Sequence, residues 1–473
     1  MKGYRHNLRR WSLGLWAGLG VVSPISNAAG GGAGICEDPL GLCPVPCPAE
    51  GSCYADSDCT NGQVCLPDCL AGWCICNQIS LGWSCSLDCA GRCGHKPMPA
   101  GPLTYVIIDL GSLGGGSSVA KAINNHGQVV GSADTRQGYR HAYVWEAGTM
   151  RDLGTLPGYS ISEANDINDV ADIVGFSTNS GLPGSQTSSF LWREGAMIDL
   201  GHLGDTVRET FANAINDACT IVGSSRVSLT TQHAFLWSNG ALTDLGTLGG
   251  NHSTAWDLNE LGEVVGGSNV PEDVPGGAFV WSSGVMTNLG TLGGEVSGAS
   301  GVNNESQVVG VAQRAGGSSL HAFLWQNGTM IDLDALLGYN ESTPEAINNR
   351  SQVIGEPSFL YDPSRGVHGL ADLLPPDYGW FRYALNPEAI NDHGQIVGAA
   401  SFPAGRHAFL MTPIDTDFDD DANSDWDDAA LLVSCMSGPG ALASNACASY
   451  DVDRDGCVDL KDARALQWAF TGP

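Results

Sequence analysis

The sequence predicts a mainly β protein whose central part is a seven-bladed β-propeller, flanked by two small modules of different character. Three observations lead to this prediction. A unit of about 44 residues recurs seven times in the middle of the chain. Twelve cysteines lie between Cys36 and Cys93, and an acidic segment near the end has the spacing of a calcium loop.

Composition and charge limit the class of partner. The chain has 473 residues, 42% of them hydrophobic, so it is too apolar to be a mainly disordered protein. Its net charge is −30, with 21 Lys and Arg against 51 Asp and Glu. Nucleic acids and anionic membranes attract basic surfaces, so neither is expected as the main partner. Divalent cations fit this charge better.

The first 28 residues are predicted to be a Sec-type signal peptide of bacterial type. Four basic residues precede an apolar stretch over residues 11–22, and Ser26-Asn27-Ala28 gives the small-x-small cleavage pattern. A membrane anchor is the alternative, but this stretch is too short to cross the ~30 Å of a hydrocarbon core. We therefore expect a secreted, extracellular protein without a membrane span, in a compartment that favours disulfides.

The segment 36–93 is predicted to be a disulfide-rich module. It is too short and too poor in large apolar residues to fold on a hydrophobic core alone, and its even cysteine count suits six internal disulfides. Zinc is the alternative, but paired C-x2-C spacing is absent. Residues 94–102, with three prolines, follow as a stiff linker. The twelve cysteines are Cys36, Cys43, Cys47, Cys53, Cys59, Cys65, Cys69, Cys74, Cys76, Cys85, Cys89 and Cys93.

Residues 103–413 contain the seven repeats. Each repeat has an apolar residue followed by Asn, a Gly seven residues later, and then an aromatic-apolar run such as Ala142-Tyr-Val-Trp145. We number the repeats 1 to 7 by these asparagines. They are Asn124, Asn168, Asn216, Asn259, Asn303, Asn348 and Asn391. The glycines are Gly131, Gly175, Gly223, Gly266, Gly310, Gly355 and Gly398.

Each repeat is predicted to form four short strands, which in repeat 1 cover residues 118–124, 127–133, 141–146 and 149–153. The first turn, Asn124-Asn-His-Gly127, suits a tight hairpin because Asn can bind its own turn backbone and Gly accepts positive φ. Four repeats have another residue in place of that Gly and are expected to be strained there. These residues are Ala171, Cys219, Ser306 and Ser351.

Four strands repeated seven times at this length is typical of a β-propeller, and the ends of the repeat region fit a closed ring. The region begins with an isolated strand, residues 105–110, and ends at residues 407–411 with a third strand that lacks a fourth. We expect these two strands to pair. An open β-solenoid is the alternative, but its terminal repeats would need polar caps.

Four repeats carry His before the aromatic run, as in His141-Ala-Tyr and His233-Ala-Phe, and Asp-Leu-Gly-Thr-Leu-Gly-Gly stands at 244–250. These motifs resemble the HAF repeats of probable extracellular bacterial proteins, over residues 105–413. The sixth repeat departs from the pattern because Phe359 follows Gly355 almost at once and His is missing. Repetition of the His and of the D-L-G aspartates predicts structural roles, with the aspartates capping turns.

The C-terminal segment contains two predicted calcium sites. Residues 451–462 match the twelve-residue loop that wraps oxygens around Ca²⁺, with Gly456 at position 6 and Val458 at position 8. Residues 417–428 have the same acid spacing without that Gly or the apolar residue, so we expect the second loop to bind more strongly. An acidic solvated tail is the alternative. The predicted ligands are Asp451, Asp453, Asp455, Cys457, Asp459, Asp462, Asp417, Asp419, Asp421, Asn423, Asp425 and Asp428.

Two such loops, each followed by a short helical segment, resemble a type I dockerin over residues 415–473. This resemblance implies a small α-helical module of EF-hand type, a cohesin-like protein partner and a link to polysaccharide breakdown. Loop positions 10 and 11, commonly a Ser/Thr pair in that family, are here Trp426 with Asp427 and Leu460 with Lys461.

Four cysteines lie beyond the N-terminal module. Cys435 and Cys447 bracket the Gly-Pro turn between the two calcium units and are expected to form a disulfide. Cys219 occupies the usual Gly position of a turn, and Cys457 lies inside a calcium loop. We expect both of these to be free thiols.

The sequence favours a secreted calcium-binding protein that binds or attaches without catalysis, to an extracellular glycan or to a protein partner of its tail. No Gly-x-Ser-x-Gly, phosphate loop or H-E-x-x-H motif is present. The alternative is a carbohydrate-active hydrolase of polysaccharide degradation with its site in the propeller mouth, which needs one pair of carboxylates. Glu163, Glu209 and Glu295 are too scattered in sequence to be nominated.

Overall fold

A computed structural model describes residues 43–46, 63–65 and 73–78 by their backbone, and residues 103–179, 186–204, 207–271, 274–374, 385–403 and 405–413. These residues belong to two compact units, one within Met1–Ala100 and one within Gly101–Pro473. The signal peptide, the linker and the predicted dockerin-like segment lie outside the described residues.

The first unit contains a three-stranded antiparallel sheet in the order β1-β3-β2. Cys76 of β3 lies opposite Cys43 of β1 and Cys65 of β2 in the register. The other predicted cysteines of this module, apart from Cys74, lie outside the described residues, and the six disulfides stay a prediction. The strands are β1 Cys43–Pro46, β2 Gln63–Cys65 and β3 Trp73–Gln78.

The second unit is mainly β, and nearly all of its strands are seven residues or shorter. Strands of the first three repeats are β4 Tyr105–Asp109, β5 Gly114–Ile123, β6 Val129–Thr135, β7 Arg140–Glu146, β8 Thr149–Gly154, β9 Ile161–Ile167, β10 Ile173–Thr178, β11 Thr187–Arg193, β12 Ala196–Asp199, β13 Thr210–Ile215, β14 Ile221–Arg226, β15 Gln232–Ser238 and β16 Ala241–Asp244. Strands of the last four repeats are β17 Ser253–Leu258, β18 Val264–Val270, β19 Val274–Ser282, β20 Val285–Gly290, β21 Gly293–Val302, β22 Val308–Arg314, β23 Leu320–Gln326, β24 Thr329–Asp332, β25 Thr343–Ile347, β26 Val353–Glu356, β27 Phe359–Asp362, β28 Gly366–Gly369, β29 Asn386–Ile390, β30 Ile396–Phe402 and β31 Gly405–Pro413. A single helical turn, α1 Asp334–Leu337, and a 3-10 turn, Leu370–Leu373, lie between strands.

The strands form antiparallel sheets in a propeller-like arrangement. Repeats 2 to 6 each make one four-stranded sheet in sequential order, from β9–β12 to β25–β28. Repeats 7 and 1 belong to one eight-stranded sheet. They are joined in it by a single parallel residue pair, Arg406 with Ser117. The predicted division of each repeat into four strands is therefore confirmed, although the first strand of repeat 1 begins at Gly114 and the second at Val129.

The two ends of the repeat region meet in one sheet. Strand β4 pairs antiparallel with β31, from Phe409 opposite Asp109 to Pro413 opposite Tyr105. The predicted pairing of the isolated first strand with the last strand is confirmed. Pairing removes the exposed edges that an open array of repeats would leave.

The hydrophobic core consists of seven clusters, each shared by residues of neighbouring repeats. Alternation along a strand explains this division, because successive side chains point to opposite faces of a sheet. Val129 of β6 packs into the cluster with Val397 and Leu410 of repeat 7, whereas Val130 packs into the cluster with Phe190 of repeat 2. Both faces of each inner strand are thus buried, as the continuous apolar runs predict.

The repeated glycine seven residues after each asparagine is explained by a close contact between strands. A Cβ on Gly131 would lie 2.0 Å from the carbonyl oxygen of Val119 on the neighbouring strand. The equivalent contact recurs at Gly223 and Gly398, at 1.9 Å in each case. Only glycine allows the first two strands of each repeat to come this close at the shift in their register.

The first turns carry the strain that the sequence predicts. Gly127 has φ +77°, and Ala171, Cys219, Ser306 and Ser351 take the same left-handed conformation at φ 55° to 65°. A non-glycine residue pays a steric penalty in this region of φ/ψ space. The four repeats therefore keep the same turn at the expense of strain and do not change its type.

No helix within the described part of the chain is long and apolar enough to cross a membrane.

Candidate functional site

The repeat asparagines first organise their own turns. The Oδ1 atom of Asn124 accepts the backbone N–H of His126 at 3.1 Å and of Gln128 at 2.9 Å. The same pair of contacts is made by Asn303 and Asn391. This is the local turn bonding that the residue type predicts.

The same asparagines also join the repeats to each other. Nδ2 of Asn124 donates to the carbonyl oxygen of Asn168 at 3.0 Å, and each following asparagine donates to the next. Asn391 donates to the carbonyl of Asn124 at 3.0 Å and closes the circle. We call these seven residues the ring asparagines. All seven are buried, so each bond satisfies polar groups that water cannot reach.

The residues that follow the ring asparagines form a second circle. The backbone N–H of each donates to the side-chain oxygen of its counterpart in the next repeat, as from Asn125 to Asp169 at 2.8 Å and from Asp392 back to Asn125 at 3.0 Å. We call these the rim residues. They are Asn125, Asp169, Asp217, Glu260, Asn304, Asn349 and Asp392.

A central cavity of about 390 Å³ lies inside these two circles, lined by the rim residues and by the last residues of the first strands. Its lining is polar, with four carboxylates on the rim and, among the residues that the structure describes, no lysine or arginine. Cavities of this size are near the lower end of the range for small-ligand sites, ~300–1,000 Å³. We take this cavity and its rim as the candidate functional site.

Two aspartates in the cavity wall break the repeat pattern. Asp166 and Asp257 stand two residues before a ring asparagine, where four other repeats have Ala. Asp166 accepts the N–H of Ile215 across the junction to the next repeat at 2.8 Å, and Asp257 accepts that of Val302 at 2.9 Å. Burial raises the pKa of Asp166 to about 8, and it raises the pKa of Asp257 to about 6.

The repeated His residues bind the aspartates of the D-L-G elements. Nδ1 of His141 contacts the carboxylate of Asp152 at 2.9 Å, and His407 contacts Asp109 at 3.0 Å. The aspartate also accepts the N–H of the glycine two residues later, as at Gly154, which is 2.7 Å away. The predicted turn capping is confirmed. His and Asp are thus engaged in a repeated strand-to-strand pair.

Repeat 5 shifts this pair by two residues. His321 contacts Asp334 at 2.7 Å, while Asp332, the expected partner, pairs with Arg314. The helical turn α1 begins at Asp334 and brings that carboxylate back to the histidine.

Cys219 is a free thiol, which confirms the prediction for this residue. It is near Arg193 and Asp172 of the preceding repeat, and burial raises the pKa of its thiol. At the equivalent turn position Ser306 donates to Glu263, also of the preceding repeat, at 2.8 Å. Cys219 and Ser306, at equivalent turn positions, thus both lie against polar side chains of the preceding repeat.

Other predicted site residues are not brought together by the structure. Glu209, which the sequence did not nominate, pairs with Arg226 at 3.2 Å and does not line the cavity described above. The twelve predicted calcium ligands, from Asp417 to Asp462, lie outside the described residues, as do Cys435 and Cys447. Within the described ranges no group of three or more His, Cys, Asp or Glu residues could hold a metal ion.

The rim residues and the two wall aspartates are the part of the site that sequence reasoning missed. The available signal was a comparison between repeats. The ring asparagine is the same in all seven, whereas the residue after it and the residue two before it differ.

No protein-family model matches this chain, and no curated protein does so either. Solved structures do match it. TolB from Acinetobacter baumannii is 13% identical with a TM-score of 0.31, and the match covers 47% of this chain and 52% of that one, about half its length. A putative gluconolactonase is 9% identical with a TM-score of 0.34, over 67% of this chain and 94% of that one.

The lectin of Aleuria aurantia, a six-bladed β-propeller with a fucose recognition mode, is 10% identical with a TM-score of 0.29. That match covers 66% of this chain and 96% of the lectin. These similarities give no function for this chain.

Proposed function

We propose that this chain is a secreted, calcium-binding protein that binds or attaches to an extracellular partner without catalysis. In this proposal the seven repeats are seven blades of a closed β-propeller, in the manner of HAF-repeat proteins. A dockerin-like tail binds two Ca²⁺ ions and attaches the protein to a cohesin-like partner or to a glycan-rich surface.

A binding role is supported by the pairing of the repeated histidines with aspartates. The histidines that could serve as proton donors or acceptors are paired with aspartates in four repeats, three of them with the D-L-G aspartate and His321 with Asp334. A catalytic site needs a unique and convergent set of such groups. The chain varies instead at the rim of a small polar cavity, where a rigid scaffold can recognise a ligand.

The test is a screen of the mature protein on a glycan array and on a panel of glycosidase substrates, with calcium and with chelator. Binding without turnover is the expected result. Turnover of any glycoside would contradict the non-catalytic proposal, and absence of both binding and turnover would contradict the glycan part of it.

Calcium binding is tested on the full chain by calorimetry. Extracellular calcium modules bind at ~10⁻⁴–10⁻³ M, and we expect two sites in that range. Asp451→Ala should weaken binding more than Asp417→Ala, because the second loop has Gly456 at the position where the chain must turn. No calcium uptake, or a larger loss from Asp417→Ala, would contradict the two-site proposal.

The second candidate function is hydrolysis of a polysaccharide at the cavity. Asp166 and Asp257 favour it, because they line the same cavity and burial raises the pKa of one more than that of the other. Both, however, accept backbone N–H groups across junctions between repeats, which is a structural use. If any glycoside is turned over, Asp166→Asn and Asp257→Asn should each abolish the activity, with Asp199→Asn as the control on an outer strand.

A further inference from the structure

The exposed side chain at the tip of each first turn lies two residues after the ring asparagine. In repeats 2 and 4 it is a large aliphatic residue, Val170 with 64% of its surface exposed and Leu261 with 65% exposed. Between them, repeat 3 has Ala218, which is exposed as well. We call these three residues the apolar rim. The other repeats have ionisable residues at this position, namely His126, Glu305, Arg350 and His393.

The three residues of the apolar rim lie on adjacent turns. The N–H of Asp169 donates to Oδ1 of Asp217 at 2.8 Å, and the N–H of Asp217 donates to Oε1 of Glu260 at 3.0 Å. Each of these rim residues immediately precedes one residue of the apolar rim. The turns of repeats 2 to 4 thus present three exposed apolar side chains on neighbouring turns beside the cavity. Exposed apolar side chains that are grouped and rimmed by polar residues are typical of interaction sites.

Negative charge accompanies this surface on its inner side. The rim residues of repeats 2 to 4 are all acidic. In the remaining repeats three of the four rim residues are asparagines. No lysine or arginine among the described residues lines the cavity to balance this charge.

We propose that the apolar rim and the adjoining cavity bind a segment of another protein in which a lysine or arginine is flanked by aliphatic residues. The basic side chain enters the cavity beside Asp217, and its neighbours cover Val170 and Leu261. This proposal rests on the proposed binding function. It gives the chemistry of one partner at one site, which is separate from the tail.

Two features of the surface favour this partner over others. Sugars pack on the rings of Trp, Tyr and Phe, and none of the seven turn-tip residues is one of these. A second copy of this chain is disfavoured, because two molecules of net charge −30 repel each other. Positive charge in the partner adds both affinity and rate of association.

The test measures binding of short capped peptides to the mature full chain by calorimetry. The probe peptide has one lysine between leucines, and two control peptides have acetyl-lysine in place of lysine or serines in place of the leucines. We expect each control to bind at least about tenfold more weakly than the probe. Binding of the probe should also weaken as salt increases.

Matched variants locate the site. Leu261→Ser and Asp217→Asn should each weaken probe binding about tenfold, and the second keeps the oxygen that accepts the N–H of Asp169. Leu229→Ser changes a leucine on another loop that is 80% exposed, and Glu305→Gln removes a charge from the turn tip of repeat 5, outside the apolar rim. Neither control should change binding.

Three results would overturn the proposal: no binding of the probe at millimolar concentration, equal binding of the acetyl-lysine peptide, or equal losses in the control variants. None of these would contradict glycan or calcium binding, which are measured independently. Glycan binding by a chain that ignores the probe peptide would leave the proposed function standing and remove only this site.

Discussion

Repeat 7 differs from the six other repeats in its chain connection. In the other repeats the chain runs directly from the third strand to the fourth. In repeat 7 the fourth strand is β4, which comes from the opposite end of the repeat region and continues into the first strand of repeat 1. We call the junction between repeats 7 and 1 the closing junction. Yet the ring asparagine bond is 3.0 Å from Asn391 to Asn124 and 3.0 Å from Asn124 to Asn168.

The closing junction thus has the same ring bond as its neighbour, although repeat 7 combines strands from both ends of the repeat region. A packed cluster and both hydrogen-bonded circles are present there as at the other junctions. At the closing junction Nζ of Lys121 also lies 2.9 Å from Glu388, an ion pair between two first strands. Pairing of β4 with β31 thus replaces a covalent link inside repeat 7, and the closing junction has this charge pair in addition.

Removing β4 should have the largest effect. Deletion of residues 103–110 takes away the pairing with β31 and the buried side chains of Tyr105, Val106 and Ile107. It also exposes an edge that can pair with other chains. We expect loss of most of the cooperativity of unfolding, measured by calorimetry and denaturant titration. A full chain that unfolds with an unchanged midpoint and slope would contradict ring closure.

Loss of one ring asparagine should come next. Asn391→Ala removes contacts to its own turn and to the carbonyl of Asn124, which leaves buried polar groups without partners. We expect a loss of about 2–4 kcal/mol in the free energy of unfolding, from two or more such groups. The measurement is urea denaturation of the full chain.

The same substitution at another junction is the control for Asn391→Ala. Asn303→Ala makes the same change at an ordinary junction, and it should cost a similar amount if side-chain bonds are independent of chain connection. Asn304→Ala on the rim removes a more exposed contact to Glu260 and should cost less. A much larger loss from Asn391→Ala than from Asn303→Ala would show that the closing junction depends on these bonds more than the others do.

Most of the fold could be predicted from the sequence because repetition averages out local ambiguity. A short apolar run in one repeat fits either a strand or a buried helix. When the same run recurs seven times and is interrupted each time by Asn and Gly, only short strands fit. Strain at Ala171 or Ser351 follows from the same logic, since symmetric repeats impose one turn on unequal residues. The pairing of β4 with β31 follows from counting strands.

The candidate site could not be predicted in the same way, because its contacts cross from one repeat to another. The local role of Asn124 is visible in its own turn, but its bond to the carbonyl of Asn168 depends on how two sheets pack. Asp166 looks like one more acid in an acidic chain. Only its position in the wall, opposite the N–H of Ile215, shows that it is buried and shared.

The junctions also differ in their response to pH. The pKa of Asp166 is raised to about 8 in the folded protein, against an ordinary value of 3.8, so the folded state holds this proton more tightly than the unfolded state. Stability should therefore fall as pH rises from about 4 to 8 and change little below or above that range. Asp257 should add a smaller fall between about 4 and 6.

Asp166→Ala, which copies the residue of repeats 1 and 3, tests this dependence. The variant should lose part of the decline in unfolding midpoint between pH 4 and pH 8, and it should be less stable than the parent only at the acidic end, where the protonated carboxyl still accepts its N–H bonds. Asp199→Ala is the control on an outer strand. A variant with the same slope as the parent would contradict the role of Asp166.

Tyr143 places a buried hydroxyl without a partner at the closing junction. Its ring packs in the cluster shared by repeats 7 and 1, fully buried, and its hydroxyl has no hydrogen-bond partner. The equivalent residue is Phe in the other six repeats. We expect Tyr143→Phe to stabilise the fold by about 1 kcal/mol, because a buried hydroxyl without a partner is lost. Tyr105→Phe is the contrast, since that hydroxyl donates to the carbonyl of Gly394 at 3.0 Å and its loss should destabilise.

The ion pair at the closing junction should have the smallest effect. Glu388 is the more buried partner, with 9% of its side chain exposed against 26% for Lys121. Partly exposed pairs contribute less than about 1 kcal/mol, and this pair adds to a junction that strands and asparagines already close. Lys121→Met should cost up to that amount, and Glu388→Gln should cost less, since it leaves no buried carboxylate unpaired. Coupling energy from the double variant, measured at low and high salt, isolates the pair. If Lys121→Met alone abolished cooperative unfolding, the closing junction would depend on charge, and the independence of the ring from its chain ends would be wrong.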